Sequence, residues 1–137
     1  MPKYYVDSNV FFYAKILDIE YGKPCTKIMK AIFNGEIDAV TSALTPIEVA
    51  NALRKYGLDR EDIKNTIDAI LSLKIQVYEF DQIDVIEAIE VSREFDVSPY
   101  DAVHVVTMKK AGVTSILSAD RDFDKVVGIK RIDPKEY

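Results

Sequence analysis

Short β-prone runs recur along the chain, each parted from the next by helical sequence or an acidic turn, and this alternation is the strongest constraint on its fold. YYV (residues 4–6), DAVTSAL (38–44), IQVYEF (75–80), TSILS (114–118) and a stretch near residues 129–132 read as strands. Between them lie segments with apolar residues at helical spacing. FFYAKIL, following Asp7, has helical character, and Ile28, Ala31 and Ile32 mark a helix over residues 24–34, with Gly35 suited to close it. Thr45-Pro46 opens a helix that runs to Tyr56 and stops at Gly57. Ile63, Ile67, Ile70 and Leu71 form the apolar stripe of the next, which starts at Asp59 or Arg60 and ends near Leu73. Over residues 82–95, Ile83, Ile86, Ile89 or Ala88, and Val91 are expected to face inward. Ser98-Pro99 opens the last long helix and Gly112 ends it. Strands alternating with helical connections predict an α/β fold, a three-layer α/β/α sandwich with a mainly parallel central sheet. No Gly/Ser linker, low-complexity tract or long-period repeat interrupts it, so a single domain is expected over residues 1–137.

Composition narrows the class. Hydrophobic residues make up 48% and charged residues 30%, the balance of a water-soluble domain. Cys25 is the sole cysteine, which rules out an internal disulfide and suits a reducing cytoplasm. Asp7 and Lys15 break the apolar runs near the N-terminus, so neither a signal peptide nor a membrane span is expected there. The net charge of −5 offers no general electrostatic grip on nucleic acid. Setting four carboxylates aside for a cation brings it to −1, and local clusters such as Arg54-Lys55, Lys109-Lys110 and Lys130-Arg131 then leave RNA open as a partner.

Four acids stand out by position. In open parallel sheets functional groups gather beyond the carboxyl ends of the strands. Asp7 directly follows the first strand, and Asp120 follows ILS with Asp122 and Asp124 close behind. Glu48 and Asp101 each sit three residues after a Thr-Pro or Ser-Pro helix start. With Thr45 and Ser98 as N-caps these would be capping-box acids, and for either residue alone capping is sufficient reason. Capping does not account for all four together. Converging carboxylates repel one another unless they take up protons or a cation compensates. An all-oxygen donor set with no Cys pair or His cluster selects Mg2+ or Mn2+ over structural zinc. A cation so held can activate water, and two of them can stabilise both oxygens of a phosphodiester displacement.

These residues resemble the PIN-domain family, and within it the VapC-type ribonuclease toxins. The resemblance rests on VDSN (Asp7, Ser8, Asn9), SALTPIEVANAL (Glu48), SPYDAVHVVTMKKAG (Asp101) and ILSADRDFD (Asp120), in that order along essentially the whole chain. It implies a PIN-like parallel α/β/α sandwich and an Mg2+- or Mn2+-dependent endoribonuclease acting on single-stranded RNA. It also implies a cytoplasmic homodimer and a separate antitoxin protein, with no membrane association. Carried over by position, Asp7, Glu48, Asp101 and Asp120 form the catalytic and metal-binding quartet, with Asp7 and Asp101 the foremost ligands. Ser8 stands where the family often has Thr, Asn9 would hold the first acid, and Ser118 would support the last. Asp122 competes with Asp120 for the fourth place or acts beside it, and Asp124 is expected at the surface.

The same residues admit other readings. His104 lies one turn beyond Asp101, where a lone His on an apolar helix is more commonly a hydrogen-bonded packing residue than a ligand. Tyr4, Tyr5, Phe11, Phe12 and Tyr13 default to core packing, with one exposed ring free to stack on a base. Arg54 and Lys55 are candidates for phosphate contact. A PIN-fold module with a weak site, binding RNA or protein without turnover, is the alternative function. A phosphatase with Asp7 as nucleophile fits poorly, because the general acid expected two residues on is Asn9.

Overall fold

The computed structural model describes all of residues 1–137. Its strands are β1 (Lys3–Val6), β2 (Asp38–Ser42), β3 (Ile75–Tyr78), β4 (Ser115–Leu117) and β5 (Lys130–Ile132). The helices are α1 (Ser8–Ile16), α2 (Gly22–Phe33), α3 (Leu44–Tyr56), α4 (Arg60–Leu71), α5 (Gln82–Phe95) and α6 (Pro99–Ala111), with 3-10 turns at Arg121–Lys125 and Pro134–Glu136. All strand pairs are parallel and the sheet order is β3-β2-β1-β4-β5.

The period-2 geometry of strands divides the core in two. Tyr5, Val40 and Ile116 face α5 and α6, where they join Ala88, Val91, Ala102, Val105 and Met108. Their chain neighbours Val6, Ala39 and Leu117 face the other way, onto Val10 and Phe11 of α1, Ile28 and Ile32 of α2, Val49 and Leu53 of α3, and Ile70 of α4. Helices therefore cover both faces of a fully parallel sheet, the three-layer sandwich expected from the alternation of elements.

Helix ends follow their punctuation at α6. Ser98 caps it by accepting a hydrogen bond from the Asp101 N–H, and Pro99 takes the first helical position. Gly112 closes it at φ 67°, a left-handed conformation that costs glycine little.

Three expectations are corrected. Thr45 does not cap α3, because its side chain is fully buried and bonded to the Thr41 hydroxyl at 2.7 Å. The helix starts at Leu44, capped by the Ala43 backbone without any side-chain bond, so Glu48 lies past the first turn rather than in a capping box. On α5 the inward residues are Ala88 and Val91, while Ile83, Ile86 and Ile89 are 73%, 61% and 51% exposed. Small Ala88 lets α5 pack closely against α6, which turns the bulky isoleucines outward. On α4, Ile70 is buried, Ile63 and Ile67 partly so, but Leu71 is exposed.

The strand order reverses about β1, with β2 on one side and β4 on the other. The crevice beyond the carboxyl ends of β1 and β4 is thus the switch point of the sheet, where ligands of open α/β folds bind.

Candidate functional site

Val6 and Leu117 are register partners at the ends of β1 and β4, which brings Asp7 and Ser118 side by side. Asp7 is the N-cap of α1 and only 3% exposed. Its Oδ1 accepts from the Ser8 N–H at 2.8 Å, and its Oδ2 accepts from the Asn9 amide at 3.0 Å and the Ser118 hydroxyl at 2.6 Å. Asn9 also donates to Ser118 Oγ at 3.1 Å and accepts from the Ala119 N–H at 3.2 Å. Three hydrogen-bond donors therefore fix one carboxylate before any ligand arrives. Asn9 plays the holding part expected of it. Ser118 was expected to support the last acid; its proton instead goes to Asp7, and it meets Asp120 only by accepting that residue's backbone N–H at 3.0 Å.

Glu48 projects from α3 toward α6, where its Oε1 meets His104 Nε2 at 2.5 Å. The other imidazole nitrogen, Nδ1, meets the Tyr5 hydroxyl at 2.5 Å, and Nε2 lies 3.8 Å from Asp7 Oδ1. His104 is fully buried, so it is the packing residue expected of a lone histidine on an apolar helix. It is also more than that, because it ties two of the acids together. The sequence carried no signal for this link, since Tyr5 and Glu48 lie 99 and 56 residues from His104 along the chain. Burial opposes charge on the imidazole, but the Glu48 hydrogen bond and the charges of Asp7, Glu48 and Asp101 outweigh it and raise its pKa. Burial raises the Asp7 carboxyl in turn, against the downward pull of His104 and Ser118.

Asp101, Asp120 and Asp122 form a second group, their carboxylate oxygens within 4.8 Å of one another. Asp7, Glu48 and His104 form the first at the same spacing, so the predicted quartet is split across two adjoining clusters. Asp120 caps the turn at Arg121–Lys125 by accepting from the Asp122 N–H at 2.9 Å, which draws Asp122 in beside it. Asp122 lies 3.5 Å from Lys125 and is exposed, while Asp124 is taken up by Arg131 at 2.9 Å on the surface.

Capping of α6 uses the Asp101 backbone but not its carboxylate. Its backbone N–H serves the cap, but its carboxylate makes no hydrogen bond back to Ser98, the return bond a capping box requires. Asp81 and Asp84 on α5 make both bonds of such a box, at 3.0 Å each. The Asp101 carboxylate instead stands half-buried among acids, its pKa pushed up to about 7 by burial first and then by Asp120 and Asp7. This is an oxygen-rich setting that a hard divalent cation would relieve, and the donor chemistry fits Mg2+ or Mn2+. The largest cleft, about 560 Å3, lies at the far end of α6 among Phe95, Met108, Val113 and Ile129, and no acid of the site lines it.

The sequence profile of the PIN domain matches residues 4–129. The chain belongs to the PIN domain family. Among PIN proteins it is similar to Ribonuclease VapC13 of Mycobacterium tuberculosis, with 28% identity over 131 residues, 93% of this chain and 97% of that protein. Its fold resembles that of the sarcin-ricin loop cleaving toxin VapC20 of Mycobacterium tuberculosis, at a TM-score of 0.75 and 17% identity, covering 92% of this chain and 98% of the other. A toxin-antitoxin complex from Klebsiella pneumoniae contains a chain matched at a TM-score of 0.67 and 17% identity, covering 98% and 99%. The parallel sheet that forms the crevice at β1 and β4 is thus that of the PIN fold.

Proposed function

We propose that this PIN-domain protein is a metal-dependent endoribonuclease, the toxin of a toxin-antitoxin pair. The observation that carries the reading is the Asp101 carboxylate, half-buried and without a hydrogen bond, beside Asp120 and Asp122 and within the field of Asp7 and Glu48. The ribonuclease name of the similar VapC13 and the toxin descriptions of the matched structures support it.

Asp7, Asp101, Glu48 and Asp120 would hold Mg2+ or Mn2+, with Asp122 at the rim. A cation held there would supply Lewis acidity to activate water and positive charge to offset the phosphodiester oxygens. The chain's own work is positioning. Ser8, Asn9 and Ser118 lock Asp7 in one rotamer, so little is lost in ordering it when a cation binds. His104 fixes Glu48 Oε1, and the surrounding acids raise the imidazole pKa, favouring its protonated form. The N-terminus of α1 directs its dipole at Asp7, favouring the ionised carboxylate.

The proposed partners are single-stranded RNA, a second copy of the chain and a separate antitoxin that covers the crevice. The exposed row Ile83, Ile86 and Ile89 on α5 is the face we assign to the second copy. No helix is long and apolar enough to cross a membrane, and with a single unpaired Cys25 the cytoplasm is the proposed location. The test is cleavage of a panel of single-stranded RNAs by the purified protein. Cutting with Mg2+ or Mn2+ that stops in EDTA supports the reading; RNA that is bound but never cut, with either metal present, would replace it with a binding module.

A further inference from the structure

Between α1 and α3, directly below the acids, lies a cleft of about 120 Å3. Two rows of side chains at helical spacing form its walls. On α1, Ser8 and Asn9 at the rim give way one turn later to Phe12 and Tyr13; on α3, Glu48 at the rim gives way one turn later to Ala52. Ala52 carries no side chain beyond Cβ, and that is what leaves the space open. One turn further, outside the lining of the cleft, Tyr56 meets Phe12 edge-on at 6.0 Å. Phe12 continues to Tyr13 at 5.7 Å, and Tyr13 stacks on Tyr21 at 5.2 Å with the rings 14° from parallel. Phe12, Tyr13 and Tyr21 are all partly exposed, and Tyr56 is 60% exposed. Phe12, Tyr13 and Tyr21 pack one side against the core of α1, α2 and α3 and keep part of their surface open beside the acidic rim.

Resting on the nuclease reading above, we propose that this cleft is a base-binding subsite: it receives the unpaired base of the nucleotide attached to the scissile phosphate, with its face against Phe12 and its edge toward Tyr13, whose ring is tilted 57° from that of Phe12. Its floor is one helical turn, about 5.4 Å, from the Glu48 position, which matches the reach from a phosphate to its own nucleoside. At about 120 Å3 it is too small for a peptide helix. Ser8 at its mouth offers a hydroxyl to the base edge. Arg54 and Lys55, on the last turn of α3 beside Tyr56, are exposed and form no ion pair, so they meet the phosphates that follow. Stacking of this kind is the usual means by which unpaired RNA is recognised, and it explains how a chain of net charge −5 holds RNA without a broad basic face.

The test removes the base and the cleft in turn. With wild type, an abasic residue at the cleaved nucleotide should lower kcat/KM about ten-fold or more. In Phe12→Leu, which keeps apolar bulk but has no ring, and in Ala52→Leu, which fills the cleft, the normal RNA should lose a similar factor and the abasic change should cost nothing further. Thermal melting checks that both variants fold. Equal abasic penalties in wild type and in both folded variants would overturn the subsite while leaving the nuclease intact. A wild type that cuts no RNA sinks the nuclease reading instead. The subsite is then judged by 2-aminopurine in a short single-stranded RNA, whose fluorescence should be quenched by wild type; quenching that persists in Ala52→Leu would refute it.

Discussion

Replacing Asp101 with Asn is the change whose sign says most about the site. Its carboxyl is raised from an ordinary value of 3.8 to about 7, chiefly by burial and then by Asp120 and Asp7. A group whose folded pKa is raised binds protons more tightly when folded, so stability falls as pH rises from about 4 to about 7 and stays lowered above that. About three units correspond to about 4 kcal/mol if nothing screened the charge. The side chain is partly exposed, and solvent screening brings this to about 1–2 kcal/mol. Asparagine also forgoes about 0.5 kcal/mol of dipole stabilisation in the first turn of α6. The expected result, in EDTA at pH 8, is an Asp101→Asn variant about 1 kcal/mol more stable than wild type, about 3 °C in Tm. At pH 4 the gain should vanish. Adding Mn2+ at about 100 times its Kd should reverse the order by stabilising wild type by about 2.7 kcal/mol and the variant far less. Urea denaturation at the two pH values reads all of this. A variant no more stable at pH 8 in EDTA, or one with the same gain at pH 4, would refute the picture of a carboxylate held ready for a cation.

Tyr5→Phe strips the hydroxyl from His104 Nδ1 inside a fully buried contact, and should cost about 1–3 kcal/mol in urea denaturation. Ser118→Ala removes one donor to Asp7 and the acceptor of the Asp120 N–H. It should raise the Mn2+ concentration that half-restores cleavage about ten-fold or more; an unchanged midpoint would show that Asp7 is held well enough without it. Ile86→Asp, on an exposed face, should leave stability within about 0.5 kcal/mol. In sedimentation it should run as a monomer at concentrations where wild type is a dimer.

Local rules carried the fold where the residues concerned were also local. Ser98, Pro99 and Gly112 bound α6 as their chemistry requires, and the alternation of strands and helices yields the parallel sheet. The same rules failed at Thr45, whose hydroxyl found Thr41 on the neighbouring strand rather than its own helix. They failed again on α5, where two arcs of the helix are apolar enough to be buried and contact with α6 chose the one containing Ala88. Positions of Asp7, Asp101 and Asp120 at strand and helix ends were legible, because topology puts those ends together, whereas Glu48 lies past the first turn of α3. The division of the acids into two clusters was not legible. It depends on His104 drawing Glu48 toward Asp7 and on the Asp120 cap drawing Asp122 toward Asp101, contacts that only the folded chain creates.

The central claim is that these carboxylates are mounted to hold a divalent cation. Titration of the EDTA-stripped protein with Mn2+, followed by electron paramagnetic resonance, measures that directly in wild type, Asp7→Asn and Asp101→Asn. The account predicts saturable binding by wild type at pH 8 and a loss of about ten-fold or more in affinity in each variant. Equal uptake by all three folded proteins, or none by wild type, would contradict it.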